Sequence, residues 1–288
     1  MQYENRLEGL KLKSMLIEGD NLIAMQSLLA DFEGKIDVMP IDPPYNTAID
    51  YTGYKDSGFA DGWTEFMRPR LEIAYKLLSE HGVMFIDIDE NEFCSLYLLC
   101  SEIFGARNVM SMVWKKTNPR FDKNRVEKPL EAGIRRTHEF IVVCFKDKAN
   151  TSLNHVMQPV WDESKYVDRL QPLETIIDDM GTNSSAKDEL EDIFGERNLF
   201  QTPKPVKMIK ELIRAASNKQ SVVMDFFAGS GTTGHAVMEL NREDDGHRKF
   251  ILITNDENNI CKSITLPRLQ KIGELYGCDE DLQFKSII

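Results

Sequence analysis

The sequence predicts an α/β protein with a mostly parallel, twisted sheet and helices on both faces. Six short runs rich in Val, Ile and Phe recur along the chain, which is typical of strands buried on both sides. Segments with apolar residues at helical spacing lie between these runs. Because the alternation of strand and helix is the pattern of parallel α/β sheets, a fold of this class is expected.

The predicted elements follow one another in a regular order. Strands are expected at residues 14–18, 36–41, 83–88, 140–145, 222–226 and 250–254, and helices at 21–30, 66–78, 207–216 and 234–241. Pro40 falls inside the second strand, where a proline removes a ladder hydrogen bond, so a bulge is expected there. Residues 150–200 are polar, acidic and irregular, which indicates an insertion or lid beside the sheet with one short helix near 185–194.

Length and composition limit the class of protein. The 288 residues suffice for one domain with insertions or two small domains, and we expect residues 1–288 to form a single domain. The five cysteines are dispersed, without a spacing typical of zinc, so reduced thiols and no metal site are expected. No apolar run approaches the roughly 20 residues of a membrane span. We therefore expect a cytoplasmic protein with no membrane partner.

The distribution of charge is uneven. The net charge of −12 argues against indiscriminate binding to nucleic acid. Between residues 114 and 148, however, ten basic residues outnumber five acidic ones. This basic strip is a candidate for holding a phosphate backbone, and a solvated charged loop is the alternative. Its candidate DNA-binding residues are Lys115, Lys116, Arg120, Lys123, Arg125, Arg135 and Arg136.

A proline-rich turn, Asp42-Pro43-Pro44-Tyr45-Asn46, directly follows the second predicted strand. Ligands of open α/β sheets bind at the carboxyl ends of strands, so the turn is well placed for function. Two prolines fix two φ angles and remove two N–H donors, which leaves carbonyl and carboxylate acceptors. Such a site suits a substrate that donates hydrogen bonds, such as an amino group, and the tyrosine supplies a flat face for stacking. An ordinary structural turn is the alternative. The candidate catalytic residues are Asp42, Pro43, Pro44 and Tyr45.

A glycine-rich segment follows the fifth predicted strand. Residues 225–234 place glycines at 229, 231 and 234, which matches the G-x-G-x-x-G pattern ahead of a helix. Gly229 and Gly231 let the backbone approach a ligand closely, and the turn delivers that ligand to a helix N-terminus. On this segment alone NAD is an alternative ligand, with Glu257 after the next strand holding a ribose.

The combination of the two sites is more informative than either. A dinucleotide-binding domain usually opens its chain with the glycine-rich turn, whereas here that turn comes near the C-terminus, after the proline-rich turn. With these motifs the sequence resembles the amino-methyltransferases of DNA, and among them the circularly permuted β class. In that class Asp-Pro-Pro-Tyr precedes Phe-x-Gly-x-Gly. The resemblance covers nearly the whole chain and extends in particular to the modification subunit of type III restriction-modification systems.

The resemblance implies a Rossmann-like methyltransferase fold with S-adenosyl-L-methionine as cofactor. Residues 16–22 resemble the strand whose acid, here Asp20, contacts the cofactor's adenine. Residues 250–257 resemble the strand whose terminal acid, here Glu257, holds the ribose, and residues 200–205 resemble the segment that closes over the methionine moiety. The implied cofactor-binding residues are Asp20, Thr202, Lys204, Pro205, Asp225, Phe227, Ala228, Gly229, Ser230, Gly231, Thr232 and Glu257.

The resemblance also implies the reaction, methyl transfer to N6 of adenine in double-stranded DNA by base flipping, without a metal. An Asp at the head of Pro-Pro-Tyr favours adenine. Cytosine N4 is the first alternative, and a catalytically silent DNA-binding module of the same fold is the second. About residues 115–200 contain the expected target-recognition insertion, which is shorter than in type III subunits. The implied protein partners are a second copy, forming a homodimer, and a restriction subunit. Phe93–Phe104 is a candidate interface, or alternatively a cover for the sheet.

Overall fold

The computed structural model describes residues 13–47, 50–51, 54–56, 59, 62–117, 134, 136–255, 257–278 and 282–287. The strands within these ranges are β1 (Ser14–Glu18), β2 (Ile36–Ile41), β3 (Asp50–Tyr51), β4 (Tyr54–Lys55), β5 (Leu78–Ile88), β6 (Val109–Trp114), β7 (Glu139–Phe145), β8 (Val156–Asp162), β9 (Lys165–Gln171), β10 (Ile176–Ile177), β11 (Val222–Asp225), β12 (Lys249–Thr254) and β13 (Leu282–Ser286). The helices are α1 (Asn21–Phe32), α2 (Trp63–Leu77), α3 (Phe93–Phe104), α4 (Asn183–Phe194), α5 (Val206–Ala216), α6 (Thr232–Asp244) and α7 (Leu266–Tyr276).

Nine of these strands form one sheet in the order β10-β6-β7-β5-β2-β11-β12-β1-β13. Strand β7 runs antiparallel to both of its neighbours, and the other neighbouring pairs are parallel. The mostly parallel α/β sheet that the sequence predicts is therefore confirmed. The six predicted strands all belong to it, whereas β6, β10 and β13 were not predicted.

Two apolar clusters cover the two faces of the sheet. Helices α1, α2 and α3 pack on one face, with Met25, Leu71 and Leu99 fully or almost fully buried. Helices α5, α6 and α7 pack on the other face, where Leu212 and Leu240 are buried. Because adjacent side chains of β1 point into different clusters, this strand is buried on both faces, as its apolar sequence indicates.

The prediction of a bulge at Pro40 is wrong. The register of β2 against β5 shifts between Ile36 and Val38, and Pro40 itself lies in regular register opposite Phe85. On its other side β2 is registered with β11 only at Val38. A residue without an N–H is accommodated here because the neighbouring ladder has already ended.

Residues 150–200 contain more regular structure than their composition indicates. Strands β8 and β9 form an antiparallel hairpin, and β10 adds a short edge to the sheet beside β6. The predicted helix is present as α4, which begins with a capping box between Thr182 and Ser185. None of the helices in the described part of the chain combines the length and apolarity that crossing a membrane requires.

The parallel direction of the strands decides where functional side chains meet. β1, β2, β11 and β12 end at the same edge of the sheet, so the segments that follow them lie together there. Strand β7 runs the other way, and its first residue, Glu139, lies at this same edge opposite Trp114. The carboxyl ends of the parallel strands and the first residue of β7 therefore lie at the same edge of the sheet.

Candidate active site

A cleft of about 630 Å³ runs along this carboxyl edge and joins the two motifs. It is lined by residues of the proline-rich turn, the glycine-rich segment and the acidic strand ends. The predicted site residues that line it are Asp20, Asp42, Pro43, Pro44, Tyr45, Lys116, Thr202, Lys204, Asp225, Phe227, Ala228, Gly229, Ser230, Thr232 and Glu257. Pro205 immediately precedes α5, and Gly231 caps the N-terminus of α6, without lining the cleft.

The rest of the basic strip is only partly described. The Lys115 ammonium is 2.9 Å from Asp178, and Arg136 is paired with Glu90. Both side chains are about a third or more exposed. The predicted residues Arg120, Lys123, Arg125 and Arg135 lie outside the described residues.

The proline-rich turn is held by neighbours on several sides. The Trp63 indole N–H donates to the Pro44 carbonyl oxygen at 2.6 Å. Asn46 adopts a left-handed φ of 57°, and its backbone N–H donates to the buried Asp56 carboxylate at 2.9 Å. The backbone N–H of Thr47 donates to the other oxygen of Asp56 at 3.1 Å. The turn is thus fixed by side chains that the motif itself does not contain.

The carboxylate of Asp42 has two different surroundings. Its Oδ2 is 3.0 Å from the Lys204 ammonium. Its Oδ1 is buried and has no hydrogen-bond partner among the residues that the structure describes. A buried acceptor without a donor is costly, so Oδ1 is suited to accept an N–H from a ligand in the cleft.

Lys204 is surrounded by three carboxylates that we call the acidic cluster: buried Asp87 and Glu139, and Asp42, whose side chain is 31% exposed. Besides Asp42, the ammonium is 3.2 Å from Glu139 Oε2 and 3.5 Å from Asp87 Oδ2, and it donates to the Tyr45 hydroxyl at 2.6 Å. Lys116 donates to the other oxygen of Glu139 at 2.9 Å. Sequence reasoning did not identify Asp87 or Glu139 as site residues.

The charges of the cluster depend on one another. Burial opposes ionisation of Glu139, but Lys204 and Lys116 outweigh burial and lower the pKa of Glu139 to about 2. Burial also opposes the charge on Lys204, yet the three carboxylates raise the pKa of Lys204 well above its usual range. Asp87 has less compensation, and burial raises its pKa well above the ordinary value. The cluster therefore keeps Lys204 charged and Glu139 ionised.

The glycine-rich segment is held in place by hydrogen bonds with neighbouring side chains. Asp225 accepts from the Phe227 N–H at 2.9 Å and from the Thr233 hydroxyl at 2.6 Å, and burial raises the pKa of Asp225 to about 7. The Thr265 hydroxyl donates to the Gly229 carbonyl at 2.6 Å. Fully buried Arg268 donates to the hydroxyls of Ser230 and Thr232 at 3.1 and 3.0 Å.

The lining of the cleft also includes two acids outside the acidic cluster, Asp20 and Glu257. Asp20 caps α1 by accepting the Ile23 N–H at 3.0 Å, and its other oxygen is 3.6 Å from Arg70. Glu257 begins a short 3₁₀ turn after β12. These two carboxylates lie on the same cleft as the glycine-rich segment, so they suit the hydroxyl and amino groups of a nucleoside. No group of acidic, His or Cys side chains that could hold a metal occurs in the described ranges.

Comparison with known proteins agrees with this arrangement. The family model for DNA methylase of the N6/N4 type matches residues 36–288. The StyLTI Mod subunit of a type III restriction-modification enzyme from Salmonella typhimurium is 30% identical over 376 residues, covering 95% of this chain and 58% of that subunit. The chain thus spans less than two thirds of this relative's length, and the aligned stretch of the relative is itself longer than the chain.

Solved structures share the fold at low sequence identity. The crystal structure of the M1.HpyAVI–SAM complex has a TM-score of 0.52 and 18% identity, covering 90% of this chain and 99% of that one. PvuII DNA methyltransferase, which is cytosine-N4-specific, has a TM-score of 0.57 and 16% identity, covering 96% and 95%. The fold, the paired motifs and the family match all agree, and this chain belongs to the N6/N4 family of DNA methylases.

Proposed function

We propose that this chain transfers a methyl group from S-adenosyl-L-methionine to N6 of adenine in double-stranded DNA. The observation that carries the proposal is the pair of acceptors at one end of the cleft, the Asp42 carboxylate and the Pro44 carbonyl. The lining of the same cleft includes the glycine-rich segment and two further acids, Asp20 and Glu257. An amine-accepting turn and a nucleoside-binding loop on one cleft match the two substrates of this reaction.

The cleft fits the cofactor in size and in chemistry. Its volume lies within the range of about 300–1,000 Å³ that ligand pockets usually have. Asp20 and Glu257 supply acceptors for the adenine and ribose parts of the cofactor. Phe227 supplies an apolar contact surface, and Gly229 allows the backbone to approach the cofactor closely. Thr202 lines the cleft beside them. S-adenosylmethionine supplies a methyl group on a positively charged sulfur and becomes a neutral thioether once the carbon–sulfur bond breaks.

The chain's own residues prepare the target amine. The lone pair of an aromatic amine is delocalised into the ring, so the nitrogen is a poor nucleophile. Asp42 Oδ1 and the Pro44 carbonyl each accept one N–H, which holds the nitrogen toward tetrahedral geometry. Asp42 also stabilises the positive charge that develops on the nitrogen. Once the methyl group is bonded to N6, the positively charged nitrogen loses one of its two protons. Asp42 Oδ1 accepts this proton and then releases it to water.

Access to the amine requires that the base leaves the duplex. Extrusion costs a few kcal/mol, and stacking on an aromatic ring contributes about 1–3 kcal/mol per base. The Tyr45 ring is the stacking surface in this proposal. Lys115 and Arg136 are the described residues of the basic strip that we assign to the phosphate backbone, because the Lys116 ammonium is already paired with Glu139. Residues 115–200 remain our proposed target-recognition region.

Cytosine N4 is the second candidate target because the PvuII enzyme, a cytosine-N4 methyltransferase, shares the fold at a TM-score of 0.57. Both amines need the same acceptors. Asp rather than Ser ahead of Pro-Pro-Tyr supports adenine. Mass spectrometry of the product nucleoside distinguishes the two.

Assembly and location extend the proposal. The Salmonella relative is a subunit of a restriction-modification enzyme, and we propose a restriction subunit as a partner of this chain in the cytoplasm. We also propose a homodimer through α3, on which Leu96, Leu99 and Phe104 are buried while Leu98 is 71% exposed. Gel filtration of the Leu98→Glu variant tests the dimer.

The direct test is transfer of a labelled methyl group from S-adenosylmethionine to unmethylated genomic DNA. We expect N6-methyladenine, and Asp42→Asn should abolish transfer while cofactor affinity measured by calorimetry stays nearly unchanged. Asp31→Asn, an exposed acid on α1, is the matched control and should retain full activity. Wild-type rates in Asp42→Asn would refute the assignment of Asp42.

A further inference from the structure

Lys204 reaches the turn from a distant part of the chain. It lies in the segment before α5, and its ammonium contacts side chains that follow or belong to β2, β5 and β7. The side chain is only 7% exposed. A lysine buried to this degree needs opposite charges around it, and the acidic cluster supplies them. The contact with Asp42 is therefore a built feature of the site.

This placement differs from the role that the family resemblance implies for Lys204. Residues 200–205 were expected to close over the cofactor, and Thr202 does line the cleft. The ammonium of Lys204, however, lies 2.6 Å from the Tyr45 hydroxyl and 3.0 Å from Asp42. Both partners belong to the proline-rich turn, so Lys204 acts on the amine-accepting end of the cleft.

The contact between Lys204 and Asp42 gives the two carboxylate oxygens of Asp42 different roles. An ion pair to Oδ2 at 3.0 Å restricts rotation of the carboxylate. Oδ1 then stays directed away from that ion pair, buried and without a partner among the described residues. A single amine N–H completes its hydrogen bonding. Lys204 thus leaves one oxygen, and not two equivalent ones, for the substrate.

The contact also decides whether Asp42 can accept at all. When a carboxyl group is protonated, one of its oxygens carries an O–H and donates a hydrogen bond. A protonated Asp42 would therefore have less capacity to accept the amine N–H. Carboxylates that crowd together share protons, and burial favours the neutral form. Burial raises the pKa of Asp42, and the Lys204 charge opposes that rise. The charged or titratable groups that face Asp42 are Lys204, Tyr45, Asp87, Glu139 and, on β11, Asp225.

We propose that Lys204 is a positioning residue for methyl transfer: it holds Asp42 as a carboxylate through Oδ2 and leaves Oδ1 for the target amine. In this arrangement Glu139 and Asp87 hold the Lys204 ammonium in place, and Lys116 anchors Glu139 from its other oxygen. This inference rests on the proposed function.

The experiment measures the pH dependence of single-turnover methyl transfer to DNA in Lys204→Met and Lys204→Arg. In Lys204→Met the acid limb of the profile should move up by about one pH unit, so the rate at a given pH on that limb should fall about tenfold. Lys204→Arg keeps the charge, so its acid limb should stay at the wild-type position even if its rate is lower. Affinity for S-adenosylmethionine, measured by calorimetry, should stay within about threefold in both variants.

Lys207→Met is the matched control, because Lys207 is three residues after Lys204, in the first turn of α5, and its side chain is 39% exposed. Its pH profile should match that of the wild type. Folding of each variant is checked by circular dichroism at the pH of the assay. If Lys204→Met does not fold, Lys204→Arg carries the test alone, and an upward shift of its acid limb by about one unit would overturn the proposal.

The outcomes separate this inference from the proposed function. Suppose that the wild type is active, and that Lys204→Met has an unshifted acid limb but binds the cofactor more weakly. This result would overturn the positioning role and assign Lys204 to the cofactor. Wild-type protein that binds S-adenosylmethionine but methylates no DNA would overturn the proposed function, and this inference with it. A shifted acid limb with intact cofactor binding supports both.

Discussion

The indole N–H of Trp63 donates a 2.6 Å hydrogen bond to the carbonyl oxygen of Pro44. Trp63 is the first residue of α2 and is 3% exposed, so its ring is held by the core. A carbonyl oxygen has two lone pairs, and this bond leaves one of them for the target amine. The carbonyl that we propose as an acceptor for the substrate amine is thus aligned by Trp63, which lies 19 positions after Pro44 in the chain.

Trp63→Phe should lower the rate of methyl transfer without weakening cofactor binding. The phenyl ring keeps most of the buried apolar area, whereas the N–H that aligns the Pro44 carbonyl is lost. A misaligned acceptor reduces transition-state stabilisation, for which about tenfold in kcat is a reasonable expectation. Single-turnover kinetics and calorimetry measure the two quantities.

Leu275→Ala is the control for this change, because Leu275 lies on α7, is 71% exposed and lines neither the cleft nor the proposed target-recognition region. It should leave kcat unchanged. An equal loss of kcat in both variants would show that the Trp63 hydrogen bond has no special role.

Gly231→Ala should weaken cofactor binding and reduce stability. Gly231 has a φ of +81°, and an added Cβ would lie 3.1 Å from Thr265 Cγ2. The left-handed backbone costs a non-glycine residue about 1–2 kcal/mol, and the close contact displaces the segment that Thr265 clamps. Gly195→Ala shares the positive φ, at +75°, but its Cβ would meet nothing within 4 Å.

Thermal unfolding and calorimetric titration with S-adenosylmethionine distinguish the two glycine variants. Both should melt earlier than the wild type, and Gly231→Ala alone should bind the cofactor more weakly. If Gly195→Ala lost the same affinity, the effect would be one of general stability.

His235 should make the protein less stable as the pH falls below about 6.5. Burial, and then repulsion by Arg268 and Lys210, lower the pKa of His235 to about 3. The unfolded state therefore binds a proton below about pH 6.5 that the folded state does not bind, and stability is lost as the pH falls toward 3. Between pH 7.5 and 5.5 this group should reduce the free energy of unfolding by about 1.4 kcal/mol.

Urea unfolding of the wild type and His235→Gln at these two pH values measures the difference. The variant should lose about 1.4 kcal/mol less than the wild type over this interval. The same substitution at exposed His155 provides the baseline. A variant that loses as much stability as the wild type would contradict a neutral, buried His235.

Much of the fold and one part of the site could be predicted from local sequence. Strand β2 ends where Asp42 begins because two prolines cannot continue the ladder, and the glycines after β11 allow the turn with φ +81° that opens α6. These are properties of short segments, so their periodicity and turn chemistry are visible without a structure. The predicted motifs accordingly lie on one cleft.

The regular register at Pro40 and the position of the Lys204 ammonium could not be predicted in the same way. The register of β2 depends on how far β11 pairs beside it, and that pairing joins Val38 to Val223, which lie far apart in the chain. Similarly, the motif around Lys204 indicates a position next to the cofactor segment. Only packing decides that the ammonium extends to Asp42 instead.

The sequence by itself determined the alternating strands and helices, the proline-rich acceptor turn and the glycine-rich loop, because each depends on residues close together in the chain. The tertiary structure alone decided the acidic cluster. Glu139 is the first residue of the antiparallel strand β7, so it lies at the edge where the parallel strands end, opposite Trp114 and beside Asp87. Strand direction and register bring these charges within 3.5 Å of one ammonium, and neither is encoded in any single segment.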